Sequence, residues 1–528
     1  MRLPFKRRTP ASPLYEFIGR YGLLITVFLT GASILIIELA AIRVLSPYFG
    51  NTLYTTSSVL GVVLAALSLG YYYGGRLADR NPSEKLFYTI ILAGGASTLL
   101  LQILTMTLLP QLGFQLSILT GPLIASMIMF FLPGLLLGTL SPFVVKLQSL
   151  RLPKVGTGTI AGEVFFWSTL GSIVGSLATG FLLIPFFGLD NTIIGTGIFL
   201  TLLGAIPLLL MGGMKEKSFG RIFPVAIGLA LMSASLTYAQ TGREVLYEAD
   251  GLYEKLTIYD DTFDGQPARF FKQDRSSSSA MYLNSDELVY NYSKYYEIYK
   301  GIKPDADQSL VIGGAAYSIP KALLADSPEM KVDVSEIEPS VYDLAKQYFR
   351  VQDDPRLQNF VADGRRHLTT TDKQYDLIFS DVYYSLYSIP SHFTTREFFE
   401  TAKSKLTDDG VFVANLIGDL SPEQPSFIMA ELKTFQEVFD NAHVFAVSSP
   451  LISKGAQNII IVGINGDASL NFDAPAFANS DNPVLRTLEQ QEFKTDGIDF
   501  APYPTLRDNY APVEYLMSRI LSENINRT

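Results

Sequence analysis

Four positions in the second half of this 528-residue chain combine residue type and spacing in a way that could do chemistry. Gly313 and Gly314 follow a short apolar run and open a turn where backbone can approach a ligand closely. Glu336 comes about 20 residues later, at the end of a second run, where a carboxylate can accept both hydroxyls of a ribose. Asp363 ends a third run and could accept from the amino group of an adenine ring. Asp381 ends a fourth, where it could bind or deprotonate an amine. Any one of these acids also suits a solvated turn or a helix N-cap. The glycine pair is not the G-x-G-x-x-G of a dinucleotide site. Their recurrence at successive run ends is what points to a single ligand site.

The elements that must position them alternate. Strands are predicted at Gln308–Ile312, Lys331–Ile337, Leu357–Ala362, Tyr375–Ser380, Gly410–Leu416, His443–Val447 and Asn458–Val462. Helices are predicted through Leu324, to Phe349, and near Thr395–Leu406 and Pro422–Phe439. That alternation implies a parallel, doubly wound sheet with ligand at the carboxyl ends of its strands. Before it, Leu252, Leu256 and Ile258 fall on one face of a strand-like pattern within Val245–Asp261. A small sheet to about Leu283 is expected there, with Ser276–Ser279 as a turn or loop.

The segment Leu310–Gly418 resembles the spermidine synthase (polyamine aminopropyltransferase) family, which has a Rossmann-like methyltransferase fold. The matching stretches are Val311–Gly314, Val334–Pro339, Asp363–Arg365, Tyr375–Asp381 and Thr394–Phe398. Arg507–Glu514 is similar to that family's Thr-Asp-Asp-x-Ala-Pro-Val-Glu element, and a thinner similarity runs from about Val245 to the C-terminus. Glu38 to Arg43 and Ser168–Gly171 running to Pro185 resemble the membrane-fused branch. The resemblance implies decarboxylated S-adenosylmethionine as co-substrate, with no tightly bound cofactor. It implies Gly313 and Gly314 against the methionine-derived part, Glu336 on the ribose, Asp363 and Gly364 beside the adenine, and Asp381 as the base. It also implies an amine acceptor and a homodimer.

Departures from the family are specific. The first loop reads Gly313–Gly314–Ala315–Ala316–Tyr317 where the family has Gly-Gly-Gly-Asp-Gly. The family's Asp-x-x-Asp is here Asp381–Val382–Tyr383–Tyr384, so the second acid is Tyr384. No glutamine stands in Arg275–Ser279, the counterpart of the gatekeeping loop. Tyr295, Tyr296 and Glu297 match the Tyr-His-Glu element, giving with Tyr384 the expected acceptor contacts. Tyr383, Tyr384 and Tyr387 suggest a more aromatic acceptor site, or packing of the loop over the sheet.

Composition explains the rest of the chain. Residues 1–240 carry 15 Lys+Arg against 7 Asp+Glu, and residues 241–528 carry 26 against 44, giving +8 and −18. An acidic second half lacks the Lys and Arg that phosphate contact needs, so nucleic acid is not an expected partner. Three histidines and no cysteine argue against a zinc site, a disulfide scaffold and a cysteine nucleophile. The first half holds seven apolar stretches, near Leu23–Leu45, Ser57–Tyr73, Leu86–Leu109, Leu123–Val145, Val164–Phe186, Thr192–Met211 and Ile222–Tyr238. Each suffices to cross the roughly 30 Å hydrocarbon core of a bilayer as a helix. The expected organisation is a seven-span α-helical bundle over 1–240, a small β subdomain over 241–300 and a Rossmann-like domain over 301–528.

Lys and Arg precede the first span and lie between spans two and three, four and five, and six and seven. Pro47–Thr56, Pro110–Gly121 and Gly188–Asn191 carry none. The positive-inside rule then puts the N-terminus in the cytoplasm of an inner-membrane multi-pass protein, and the acidic half outside. A donor made in the cytoplasm is not freely available there. Three functions stay open: an aminopropyltransferase, a polyamine- or nucleoside-binding transporter or sensor, and a related methyltransferase.

Overall fold

A computed structural model of the chain describes residues 13–117, 119–212, 217–238, 245–383, 389–448 and 452–523. These form two compact units, one built from long helices and one from the chain after residue 239 together with Ser46–Leu53 and Gln115–Leu119.

Seven helices of the first unit are long and apolar enough to cross a membrane: Tyr21–Phe49, Leu53–Arg80, Glu84–Thr107, Gly121–Arg151, Thr157–Phe187, Leu189–Leu210 and Phe219–Tyr238. They coincide with the seven apolar stretches of the sequence. At 1.5 Å rise per residue, even the 20-residue helix reaches about 30 Å. Small residues set the closest crossings. A Cβ on Gly171 would collide with the Phe28 carbonyl, and one on Gly175 with that of Ala32, whereas Gly180 meets nothing within 4 Å. Glu38 is buried, while Glu163 is exposed. Gln102 is wholly buried and donates to Asp190 Oδ1 at 2.9 Å and Thr237 Oγ1 at 3.2 Å, joining three helices.

The second unit begins with an antiparallel sheet of β1 (Val245–Asp250), β2 (Lys255–Phe263), β3 (Gln266–Gln273) and β4 (Ser276–Tyr282), in that spatial order. Asp264 and Gly265, at φ 47° and 78°, make the tight β2–β3 turn that an Asp-Gly pair favours. Ser276–Ser279 is strand, not the expected turn or loop. Phe271 pairs with Ser279 and Lys272 with Ser277, and the turn falls on Asp274 at φ 50°. Pairing with a long neighbouring strand outweighs the weak local preference of four serines.

The larger sheet contains β5 (Gln308–Ile312), β6 (Lys331–Glu336), β7 (Leu357–Val361), β8 (Tyr375–Ser380), β9 (Leu406–Gly418), β10 (Asn441–Ala446) and β11 (Gln457–Asn465). Their order is β10-β11-β9-β8-β5-β6-β7. β5 to β9 are parallel, as expected, but β11 is antiparallel to both its neighbours. Residues 447–456, which join β10 to β11, are too few for a helical crossover and allow only an antiparallel return. One apolar layer packs on each face of the sheet: Val311, Val334 and Phe379 belong to one, and Leu310, Ile312 and Phe412 to the other. β5 pairs with β6 on one side and β8 on the other, so the strand order reverses there. The crevice at that switch point is where doubly wound sheets bind ligands.

Candidate functional site

A cavity of about 390 Å³ opens at this crevice. Gly313, Gly314, Glu336, Asp363, Gly364 and Asp381 all line it. The six positions that residue type had singled out on four separate strands therefore meet in one space.

Gly313 is required by geometry. Its φ is +93°, its N–H donates to the Ser335 carbonyl at 3.0 Å, and a Cβ would collide with the Asp381 carbonyl. A Cβ on Gly364 would strike the Ile312 side chain. Two further residues of the first loop, neither of them glycine, lie in the left-handed region: Ala315 at φ 43° and Tyr317 at φ 57°. Tyr317 is fully buried, and its hydroxyl reaches Asn359 Oδ1 at 2.5 Å. An aromatic anchor in the core thus fixes a loop that has lost its third glycine.

Glu336 is buried and already employed. Oε2 accepts from the N–H of Gly314 at 2.8 Å and, more loosely, of Ala315 at 3.4 Å, while Oε1 accepts from Glu338 N at 2.8 Å. Burial raises its pKa, and the three backbone donors pull it back only in part. A carboxylate offers about four lone-pair sites. Two are used on the first loop and one on the backbone of Glu338, so the residue both shapes the turn and keeps limited acceptor capacity for a ligand.

Asp363 does cap a helix. Oδ1 accepts from the N–H of Arg366 at 2.9 Å, and Oδ2 lies 2.9 Å from His392 Nε2. Burial raises its pKa, but His392 and the cap donors outweigh that, leaving it below the ordinary value.

Asp381 follows β8 directly. Oδ1 accepts from Asn415 Nδ2 at 2.9 Å, and the Tyr292 hydroxyl, which donates to the Ser278 carbonyl at 3.2 Å, stands close enough to favour the ionised carboxylate. Burial raises its pKa, with those two groups opposing. The Tyr292 phenol is pushed well above its usual value by burial and by Asp381. Tyr383, next in the cavity wall, has its phenol raised by burial and by the same carboxylate. Its hydroxyl oxygen accepts from Ile417 N at 2.5 Å.

The expected acceptor contacts fare differently. Tyr295 is buried with its hydroxyl on the Ala446 carbonyl at 3.2 Å, and Tyr296 bonds to Asp326 at 2.9 Å. Glu297 pairs with Lys300 at 2.9 Å and accepts from Asn482 at 3.0 Å. None of the three lines the cavity; the same 3₁₀ segment presents Asn291, Tyr292 and Ser293 to it. Tyr384 and Tyr387 lie outside the described residues. Asn415 and Tyr292 were not singled out from the sequence, whereas the Ser276–Ser279 wall is the segment matched there to the gatekeeping loop. Only Asn415 left a signal, as a polar residue inside the apolar run of β9.

Among the described residues no Lys or Arg lines the cavity, whereas Glu254, Glu336, Glu338, Asp363 and Asp381 all do. The arrangement suits a ligand carrying hydroxyls, amino groups and positive charge.

Residues 296–473 match the family model described as Spermine/spermidine synthase domain. The chain is 28% identical over 280 residues to a polyamine aminopropyltransferase of Vibrio vulnificus, covering 51% of this chain and 89% of that protein. It is 25% identical over 424 residues to a polyamine aminopropyltransferase of Corynebacterium efficiens, covering 75% of this chain and 77% of that protein. That second alignment is longer than everything after residue 240, so it takes in part of the helical unit. Among solved structures, a probable spermidine synthase from Corynebacterium glutamicum aligns with a TM-score of 0.39 and 21% identity, covering 44% of this chain and 84% of that one.

Proposed function

We propose that this chain is a membrane-bound aminopropyltransferase that moves an aminopropyl group from decarboxylated S-adenosylmethionine to an amine. The observation that carries the reading is Asp381, a carboxylate of raised pKa in the switch-point cavity, beside Gly313–Gly314, Glu336 and Asp363.

In this mechanism the nucleoside lies along the strand ends, its ribose at Glu336 and its adenine at Asp363–Gly364. The amine stands at Asp381. Its nitrogen bonds to the aminopropyl carbon as the carbon–sulfur bond breaks, and sulfur leaves as a neutral thioether. The proton lost by nitrogen passes to Asp381. A base whose pKa lies nearer the working pH takes that proton more effectively. Holding both reactants in line supplies much of the remaining acceleration. Tyr292 and Tyr383, which line the cavity, take the acceptor-side role first expected of Tyr295, Tyr296 and Glu297.

The cavity's charge favours this reading over a methyltransferase. A methyl donor that keeps its amino-acid carboxylate would meet five carboxylates and, among the described residues, no cation. The decarboxylated donor brings only positive charge. The same reading divides the chain into a lipid-embedded 1–240, a β subdomain 241–300 and a catalytic 301–528, joined as a homodimer. Loop charges orient it with the N-terminus in the cytoplasm and the catalytic part outside, so this reading requires the donor to be delivered across the membrane.

The test is turnover. Full-length protein in detergent, given labelled decarboxylated S-adenosylmethionine and a panel of amines, should release 5′-methylthioadenosine and a labelled amine product. Binding of nucleoside without product from any amine would favour the transporter or sensor reading.

A further inference from the structure

Asp363 lines the cavity, but the residue that orients it does not. His392 Nε2 lies 2.9 Å from Asp363 Oδ2, and His392 is not among the residues that line the ligand space. A carboxylate only accepts, so Nε2–H is the donor. The other oxygen, Oδ1, is committed to the helix cap. Both carboxylate oxygens are thereby fixed, and the carboxyl cannot turn about its own bond without losing one partner.

His392 is itself fixed. It belongs to a single 3₁₀ turn, Ser391–Phe393, whose last residue lines the cavity near Gly364. Arg365 clamps that turn from below, donating to the His392 carbonyl at 3.0 Å and to Thr395 Oγ1 at 3.3 Å. Two of its nitrogens also meet the two oxygens of Asp508 at 2.7 Å each. Thr395 Oγ1 donates to Asp508 at 2.8 Å, and Asp508 N donates to Glu397 Oε2 at 3.1 Å. A bidentate Arg–carboxylate pair fixes direction as well as distance. The C-terminal Arg507–Glu514 element, idle in the mechanism above, thus reaches the cavity through Asp508, Arg365, His392 and Asp363 in turn.

We propose that His392 is a positioning residue for base recognition, aiming the free acceptor capacity of Asp363 at the 6-amino group of an adenine. The inference rests on the nucleoside reading of the cavity. A 6-oxo purine would turn a carbonyl toward an oriented carboxylate, leaving two acceptors facing each other with no proton between them. Loss of an aimed charge-assisted bond removes that discrimination.

Calorimetry of full-length protein in detergent with 5′-methylthioadenosine and 5′-methylthioinosine tests it. The His392→Leu variant should bind 5′-methylthioadenosine ~10-fold more weakly and lose ~10-fold in preference over the inosine analogue. His392→Gln, which keeps a donor, should recover most of both. Asp508→Asn, which loosens the turn from a distance, should lie between wild type and His392→Leu. Equal binding and equal preference in wild type and His392→Leu would overturn the positioning role while leaving the nucleoside reading intact. Absence of binding of either nucleoside to wild type would overturn both.

Discussion

Asn415 Nδ2 donates to Asp381 Oδ1 at 2.9 Å, tying the end of β9 to the end of β8 inside the cavity. The amide is aimed in turn, because its Oδ1 accepts from Asn458 Nδ2 on β11 at 2.9 Å. Three adjacent strands therefore set the direction of one carboxylate, and its protonation follows from what they supply.

In the proposed mechanism Asp381 acts as a base only when ionised, so activity should fall as pH drops through its pKa. Burial raises that pKa, and the acid limb of kcat/KM should lie above the ordinary aspartate range. Asn415 and Tyr292 hold the value down, with Asn415 the stronger of the two. Replacing Asn415 by Leu should move the acid limb to higher pH, and Tyr292→Phe should move it the same way by less. A pH–rate profile of the three proteins checks the order.

Gly313→Ala should cost about 2 kcal/mol or more, since φ +93° is strained for alanine and its methyl meets the Asp381 carbonyl. Thermal unfolding of the detergent-solubilised protein should register the loss. Binding of 5′-methylthioadenosine should weaken as well, because the loop donors to Glu336 shift with the backbone.

Glu431 is a separate source of pH dependence. It sits wholly buried in the helix Phe427–Gln436, and neither carboxylate oxygen has a hydrogen-bond partner. Burial raises its pKa well above the ordinary value. With the folded value above the unfolded one, the proton favours the fold. Its contribution is complete below the unfolded pKa and is lost as pH rises through the folded one. Glu431→Gln should therefore stabilise the protein on the alkaline side, by about 1–3 kcal/mol, and flatten the pH dependence of its melting temperature.

The strand ends were legible because an apolar run that stops at an acid or a glycine marks both an element boundary and a polar group at the sheet's edge. That signal fixed Gly313, Glu336, Asp363 and Asp381 without side-chain geometry. It failed in the segment from Tyr290 to Tyr299. Five tyrosines crowd there, and packing alone decides that Tyr292 faces the cavity while Tyr295 and Tyr296 turn into the core. The serine run carries no period, so its strand pairing depends on β3 rather than on its own residues. His392 is a single histidine in a loop, and its role exists only through a carboxylate 29 positions away.

The proposed transfer depends on Asp381. Single-turnover release of 5′-methylthioadenosine from labelled decarboxylated S-adenosylmethionine, in the presence of an amine acceptor, measures its role directly. Wild type should form product. Asp381→Asn should slow the chemical step ~10²–10⁴-fold, with nucleoside affinity changed only a few-fold. Equal rates in the two proteins would contradict the assignment of Asp381 as the base.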